Sequence, residues 1–159
     1  MDHAISSVAS AEVCTRLVSE LDGLWDSLGS IHPSLTSFQL TFNDSHGRKH
    51  WIDIKLPDQY PKVAPICSME APEEISLQWS ESKNIRDVLK QFSIAAEKYN
   101  PLWEQLDDID QNTWVLEPDK PSYSNTMRRI ALENHCSISI ELVRPLITPK
   151  QQFRSNNCR

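Results

Sequence analysis

The chain has 159 residues, of which 39% are hydrophobic and 24% are charged, a composition typical of a packed domain and not of a disordered chain. Its 16 basic and 22 acidic residues give a net charge of -6, whereas binding to phosphate backbones needs clustered Lys and Arg. Residues 1–10 show no signal peptide, and no stretch approaches the roughly 20 apolar residues of a membrane span. We therefore expect an intracellular protein without direct nucleic-acid or membrane partners.

The first periodic segment predicts an amphipathic helix over residues 11–28. Ser10 is suited to cap its start, and Gly29 is suited to the left-handed residue that ends it. The apolar residues recur at helical spacing and form one stripe: Val13, Leu17, Leu21, Leu24, Trp25 and Leu28.

Alternating apolar residues then predict an antiparallel meander of four strands. The turn at 43–47 joins the first two strands into a hairpin, and residues 66–70 form the third strand. The alternating residues are Phe38, Leu40 and Phe42 in the first strand, Ile52, Ile54 and Leu56 in the second, and Ile75, Leu77 and Trp79 in the fourth.

Helical spacing returns from Asn84 and continues to Leu106, and two further alternating segments follow near residues 130 and 140. The order of helix, meander and helix predicts an α+β fold. We divide the chain into a flexible start at 1–9, a first lobe at 10–112, a linker at 113–125, the first hairpin of a truncated second lobe at 126–142, and a divergent, disordered tail at 143–159.

A YPxxxP sequence at Tyr60–Pro65 lies between the second and third predicted strands. Pro61 and Pro65 fix the backbone, and we expect the ring of Tyr60 to pack beneath them in a rigid buried turn. With a helix and hairpin before it, and strands and a helix after it, this motif resembles the RWD domain, a relative of ubiquitin-conjugating enzymes (UBC).

Catalytic residues are not predicted. Active conjugating enzymes carry a His-Pro-Asn sequence and a Cys downstream of the prolines, and residues 75–87 contain neither. Cys67 comes too early, and a small buried hydrophobic residue is the favoured interpretation of it. The adjacent pair His135 and Cys136 has no second pair of ligands, so we predict no metal site.

Three segments, WEQLDDID at 103–110, TWVLEPDKP at 113–121 and RRIAL at 128–132, resemble the Fanconi anaemia group L family. Members of this family are RING-type ubiquitin ligases. The resemblance covers the central double-RWD region, the first lobe with the start of the second. It implies that the N-terminal ubiquitin-binding fold and the zinc-binding RING are absent here, that the tail from 144 is a truncated or spliced end, and that this chain needs no cofactor.

The resemblance also implies a role. The double-RWD region of the family offers an apolar surface to two paralogous Fanconi substrate proteins, which become monoubiquitinated in DNA repair. Trp114 and Leu116 alternate, so we expect both to contact these substrates from an extended segment. The alternative is that they pack on the last helix.

The resemblance further implies Fanconi core-complex subunits as partners and a nuclear and cytoplasmic location. The alternative function is that of a generic RWD interaction domain from another pathway. Among the other tryptophans, the apolar stripes predict that Trp25, Trp79 and Trp103 are in the core, whereas Trp51 is on the outer face of the sheet.

Overall fold

The computed structural model describes residues 9–143 and 153–154. The chain divides into two units, one comprising residues 1–69 and 74–97 and the other comprising residues 70–73 and 98–159. The elements are α1 (Ala11–Leu21), a short 3-10 helix (Trp25–Ser27), β1 (Leu28–Ile31), β2 (Ser37–Asn43), β3 (Lys49–Lys55), β4 (Ile66–Met69), α2 (Ile85–Asn112), β5 (Val115–Glu117), β6 (Met127–Ala131), β7 (Ser137–Glu141) and β8 (Phe153–Arg154).

Helix α1 starts where predicted and ends earlier. The Ser10 hydroxyl accepts a hydrogen bond from the Val13 amide, and the helix ends at Leu21. Gly23, with φ of 77°, supplies the left-handed residue assigned to Gly29. Because the chain leaves the helix there, Trp25 is 54% exposed, and its predicted place in the core is wrong.

The first unit contains an antiparallel sheet in the order β1-β2-β3-β4. The predicted hairpin is β2–β3, in which Leu40 pairs with Ile52 on the face that is buried. The predicted α+β class with a four-stranded antiparallel sheet is confirmed. The fourth strand, however, is β1 at residues 28–31 and not the predicted strand at residues 75–79.

Residues 75–79 are half-buried or exposed and belong to no strand. The amide side chain of Gln91 on α2 takes the place of a neighbouring strand: its Oε1 accepts from the Gln78 amide at 2.8 Å, and its Nε2 donates to the Gln78 carbonyl at 2.9 Å. Alternation in this segment therefore reflects side-chain packing without a β-ladder.

The core of the first unit lies between the inner face of the sheet and the two helices. Aliphatic side chains and three aromatic rings fill it, so burial of apolar surface is its main source of stability. Its buried members are Val13, Leu17, Leu21, Leu24, Phe38, Leu40, Ile52, Ile54, Leu56, Tyr60, Ile85, Val88 and Phe92.

The YPxxxP segment begins in a turn at residues 58–62, with Tyr60 4% exposed. The carboxylate of Glu20 accepts hydrogen bonds from the Tyr60 hydroxyl, the Arg16 guanidinium and the Ile85 amide. The indole nitrogen of Trp79 donates to the Pro61 carbonyl at 2.9 Å. One acidic side chain on α1 thus fixes both the turn and the start of α2.

The second unit contains residues 98–112 of α2 and an antiparallel sheet in the order β5-β6-β7-β8. The hairpin predicted at 126–142 is β6–β7. Two strands were missed: β5 lies inside the predicted linker, and β8 lies inside the predicted disordered tail. Residues 1–8 and the rest of the tail after Val143 lie outside the described residues, so the flexibility expected of them stays a prediction.

Candidate partner-binding site

Trp114 and Leu116 lie at the exposed edge of the second sheet. Trp114 directly precedes β5 and is 74% exposed, and Leu116 lies within β5 and is 40% exposed. Strand β5 forms one edge of the sheet, since β6 is the one strand it pairs with among the described residues. The structure therefore does not place Trp114 in the core, which was the alternative interpretation of this segment.

Backbone hydrogen bonding between β5 and β6 begins at Trp114. The Ala131 amide donates to the Trp114 carbonyl at 2.9 Å. We call Trp114 and Leu116 the β5 patch.

The end of α2 fixes the position of Trp114. The amide and the hydroxyl of Thr113 both donate to the Ile109 carbonyl, at 3.0 and 2.6 Å. These bonds satisfy a carbonyl that a helix end otherwise leaves free. Since Thr113 is held in this way, the backbone position of the next residue, Trp114, is well defined.

Strand β6, which pairs with β5, is held in place by a buried arginine. Arg128 is 1% exposed, and its Nη1 donates to the carbonyls of Asn125 and Met127 at 2.6 and 3.0 Å. Its Nη2 donates to the Ser122 carbonyl at 3.3 Å, and its remaining donors meet Asp110 on α2. Arg128 belongs to the RRIAL sequence, but nothing in the sequence indicated a buried role for it.

The loop between β5 and β6 packs on α2 through aromatic rings. Trp103 is fully buried, as predicted; its ring lies 5.4 Å from that of Tyr99 and 5.3 Å from that of Tyr123. The Trp103 indole donates to the Tyr123 carbonyl at 3.2 Å, and the Tyr123 hydroxyl donates to Asp107 at 3.0 Å. The loop that follows β5 is therefore held against α2 by ring packing and hydrogen bonds.

The YPxxxP residues lie in the first unit, whereas Trp114 and Leu116 belong to the second. Tyr60, Pro61 and Lys62 line a cavity of about 630 Å³ beside α1. Burial raises the pKa of the Tyr60 hydroxyl, and its hydrogen bond to Glu20 acts in the same direction. A tyrosine in this state is neutral, which suits a structural role.

The chemistry of a conjugating enzyme is not found at Cys67. Its thiol lies on β4, and burial raises its pKa to about 12, so it remains protonated at neutral pH and is a poor nucleophile. Within the described residues, no group of three or more His, Cys, Asp or Glu is placed to hold a metal ion. Nor does any helix in that part of the chain have the length and apolarity to cross a membrane.

A helix, a four-stranded meander with a YPxxxP turn, and a long helix define a UBC-like protein. Two family models match: FANCL UBC-like domain 2 over residues 11–99 and FANCL UBC-like domain 3 over residues 101–154. The first covers more than half of the sequence, and the chain belongs to the FANCL family.

One relative is the mouse E3 ubiquitin-protein ligase FANCL, which is 40% identical over 134 residues. The match covers 84% of this chain and 36% of the mouse protein, so the chain spans about a third of that relative. A crystal structure of FANCL superposes with a TM-score of 0.64 at 14% identity, over 87% of this chain and 39% of that one. This second likeness supports the fold.

Proposed function

We propose that this chain is a substrate-binding and scaffolding region of a Fanconi-pathway ubiquitin ligase, and that the β5 patch contacts the substrate proteins. The observation that carries the proposal is the 74% exposure of Trp114. Tryptophan is rarely left in water without a partner, and it is enriched among the residues that dominate protein interfaces.

The ordered support of the patch adds to this argument. Trp114 follows a capped helix end, and β6 is held by the buried Arg128. A segment whose backbone is ordered before binding loses less conformational entropy when the partner arrives, so each contact contributes more to affinity.

The chemistry follows from the family. In a RING-type ligase, the transferred ubiquitin comes from a conjugating enzyme held by the RING, and the central region holds the substrate. We propose that this chain contributes binding without a cofactor, that its partners are the two paralogous Fanconi substrate proteins and core-complex subunits, and that it acts in DNA repair in the nucleus and cytoplasm. Membership of the FANCL family favours this role over that of an RWD domain from another pathway.

The test is the double variant Trp114→Ala with Leu116→Ala, assayed for affinity to the purified substrate pair and for thermal unfolding. Anchors of this type cost at least about 2 kcal/mol of binding free energy when truncated, or roughly thirtyfold in Kd. Because both side chains are exposed, we expect the melting temperature to change by less than about 2 °C.

The matched control is Trp25→Ala with Ile66→Ala. It also removes an exposed tryptophan and an exposed aliphatic side chain, at 54% and 65% exposure, but from the first unit. The control should bind like the wild type. Unchanged affinity of the Trp114 and Leu116 variant, or a loss that only follows unfolding, would show that the β5 patch is not the substrate contact.

A further inference from the structure

Strand β5 leaves one pair of backbone groups at the open edge of the second sheet. The Trp114 carbonyl accepts a hydrogen bond from the Ala131 amide, and the next residue, Val115, lies opposite Ile130. In an antiparallel pair, residues whose backbone groups bond to the neighbouring strand alternate with residues whose groups point away from it. The N–H and C=O of Val115 therefore face away from β6. Among the described residues, no other strand pairs with β5 on that side, and no side chain bonds to Val115.

The two residues of the β5 patch flank this backbone pair. Trp114 and Leu116 are 74% and 40% exposed, whereas Val115 between them is half-buried. Successive side chains of a strand point to opposite faces of the sheet, so Trp114 and Leu116 share the outer face. Three residues of this edge thus offer two apolar side chains together with one hydrogen-bond donor and one acceptor.

The second half of β5 is closed to further pairing. Its register with β6 shifts between Val115 and Glu117, and Pro118 follows directly. Irregular pairing, charged side chains and prolines are the features by which edge strands resist the addition of another strand. Trp114 and Val115 precede all of these features. An added strand is therefore confined to the beginning of β5.

Covering this edge without pairing it would be unfavourable. A partner that contacts Trp114 and Leu116 from the open side also removes water from the N–H and C=O of Val115. A backbone group that loses its water without gaining a new hydrogen bond costs free energy. The edge therefore favours a partner that supplies both apolar side chains and an extended backbone.

We infer that the substrate segment bound by the β5 patch is extended and adds to the open edge of β5 as a short strand, with its backbone paired to Val115. The inference rests on the proposed function, because it specifies what the same patch binds. In this mode, backbone hydrogen bonds contribute affinity and contacts with alternate side chains select the sequence.

The inference defines the sequence pattern of the bound segment. The substrate residues on either side of the paired one lie beside Trp114 and Leu116, since cross-strand neighbours on one face have Cβ atoms about 4.5–5.5 Å apart. Aliphatic or aromatic side chains at these two positions would cover the exposed Trp114 and Leu116. The recognised segment thus has an apolar residue, any residue and a second apolar residue in succession.

The test is the variant Val115→Pro in the full chain, assayed for affinity to the purified substrate pair. Proline removes the outward N–H and leaves the hydrogen bonds between β5 and β6 in place, and edge strands tolerate proline at such positions. Val115→Ala also loses the valine side chain but keeps the N–H, so it is the matched comparison. The Kd of Val115→Pro should exceed that of Val115→Ala on the order of tenfold. Equal Kd values, with both variants folded by thermal unfolding, would overturn the inference.

Hydrogen exchange in the wild-type chain tests the same pairing without a substitution. The Val115 amide should exchange quickly in the free chain and at least about tenfold more slowly in the complex with the substrate pair. The Leu116 amide faces β6 by the same alternation and is the internal reference, protected in both states. Mass spectrometry with fragmentation that resolves single amides provides the measurement. Equally fast exchange of Val115 in the complex would contradict strand addition, whether or not the proline variant folds.

A second copy of this chain is the competing occupant of an open strand edge. Sedimentation of the chain alone, over a range of concentrations, should show a monomer. A dimer that Val115→Pro abolishes would assign the edge to self-association and overturn the inference.

The two proposals fail in different ways. If the Trp114 and Leu116 variant loses affinity while Val115→Pro binds like Val115→Ala, the strand inference is wrong and the proposed function stands. If the Trp114 and Leu116 variant binds normally, both are wrong.

Discussion

The guanidinium of Arg128 and the carboxylate of Asp110 form a two-point ion pair, with Nε 2.6 Å from Oδ1 and Nη2 3.0 Å from Oδ2. Arg128 is 1% exposed, whereas the Asp110 side chain is 25% exposed. This pair joins the end of α2 to β6, the strand on which β5 is paired. Parallel hydrogen bonds of this kind suit arginine, because its planar fork matches a carboxylate.

Replacing Arg128 with Met should destabilise the second unit. The methionine keeps much of the packing volume but leaves Asp110 and the Ser122 and Asn125 carbonyls without their donor. Removing one partner of a buried ion pair costs roughly 3–5 kcal/mol, and we expect the lower end because Asp110 reaches solvent. Urea unfolding followed by circular dichroism measures the loss. The milder variant Asp110→Asn should cost less, and a change below about 0.5 kcal/mol for Arg128→Met would contradict the role given to this pair.

Stability should fall in alkaline solution because of Tyr60. Burial raises the pKa of this hydroxyl above the value near 10 of an unfolded tyrosine, so the folded state favours the neutral form. The contribution is fully present below about pH 10 and is lost as the pH rises above it, towards the pKa of the folded state. In Tyr60→Phe the decline above about pH 10 should be shallower than in wild type. An equally steep decline in both proteins would show that other groups cause it.

Gly29 is required by the position of Trp51. A Cβ atom at residue 29 would lie 2.7 Å from the Trp51 ring, and Trp51 is 46% exposed, so the ring can move outward. Gly29→Ala should therefore displace Trp51, shift its fluorescence emission to longer wavelength and cost about 1 kcal/mol.

Gly47→Ala is the comparison variant for this prediction. Its Cβ would meet open space, but its φ is 80°, and the left-handed conformation costs an L-residue roughly 1–2 kcal/mol. It should lose similar stability without changing tryptophan emission. The same emission shift in both variants would argue against a specific contact at Gly29.

Cys67 should be unreactive in the folded chain. Since burial raises the pKa of its thiol to about 12, iodoacetamide should label it at least about tenfold more slowly in buffer than in urea. Peptide mass spectrometry identifies the labelled site. Incubation with activating enzyme, ubiquitin and ATP should give no reducible ubiquitin adduct at Cys67. An adduct at this residue would support the hypothesis that the chain is an active conjugating enzyme.

The sequence predicted those elements whose signal is local. The stripe of α1, the β2–β3 hairpin and the burial of Trp103 each follow from side-chain spacing over a few turns or one strand pair. Residues 75–79 show where this reasoning fails, because alternation reports which side chains pack inward and not which backbone groups pair. The side-chain amide of Gln91 forms hydrogen bonds with the backbone of Gln78 there, and no spacing rule predicts that contact.

The sequence by itself determined the fold class, the family and the two residues proposed to meet the partner, because apolar periodicity and a distinctive run of residues are properties of the chain. Only the tertiary structure decided that Leu116 lies on an edge strand with Trp114 directly before it, and that Arg128 is buried. Strands β1 and β5 are short and lie at sheet edges. Such strands depend on hydrogen bonds to a partner strand, and the local sequence does not predict that pairing.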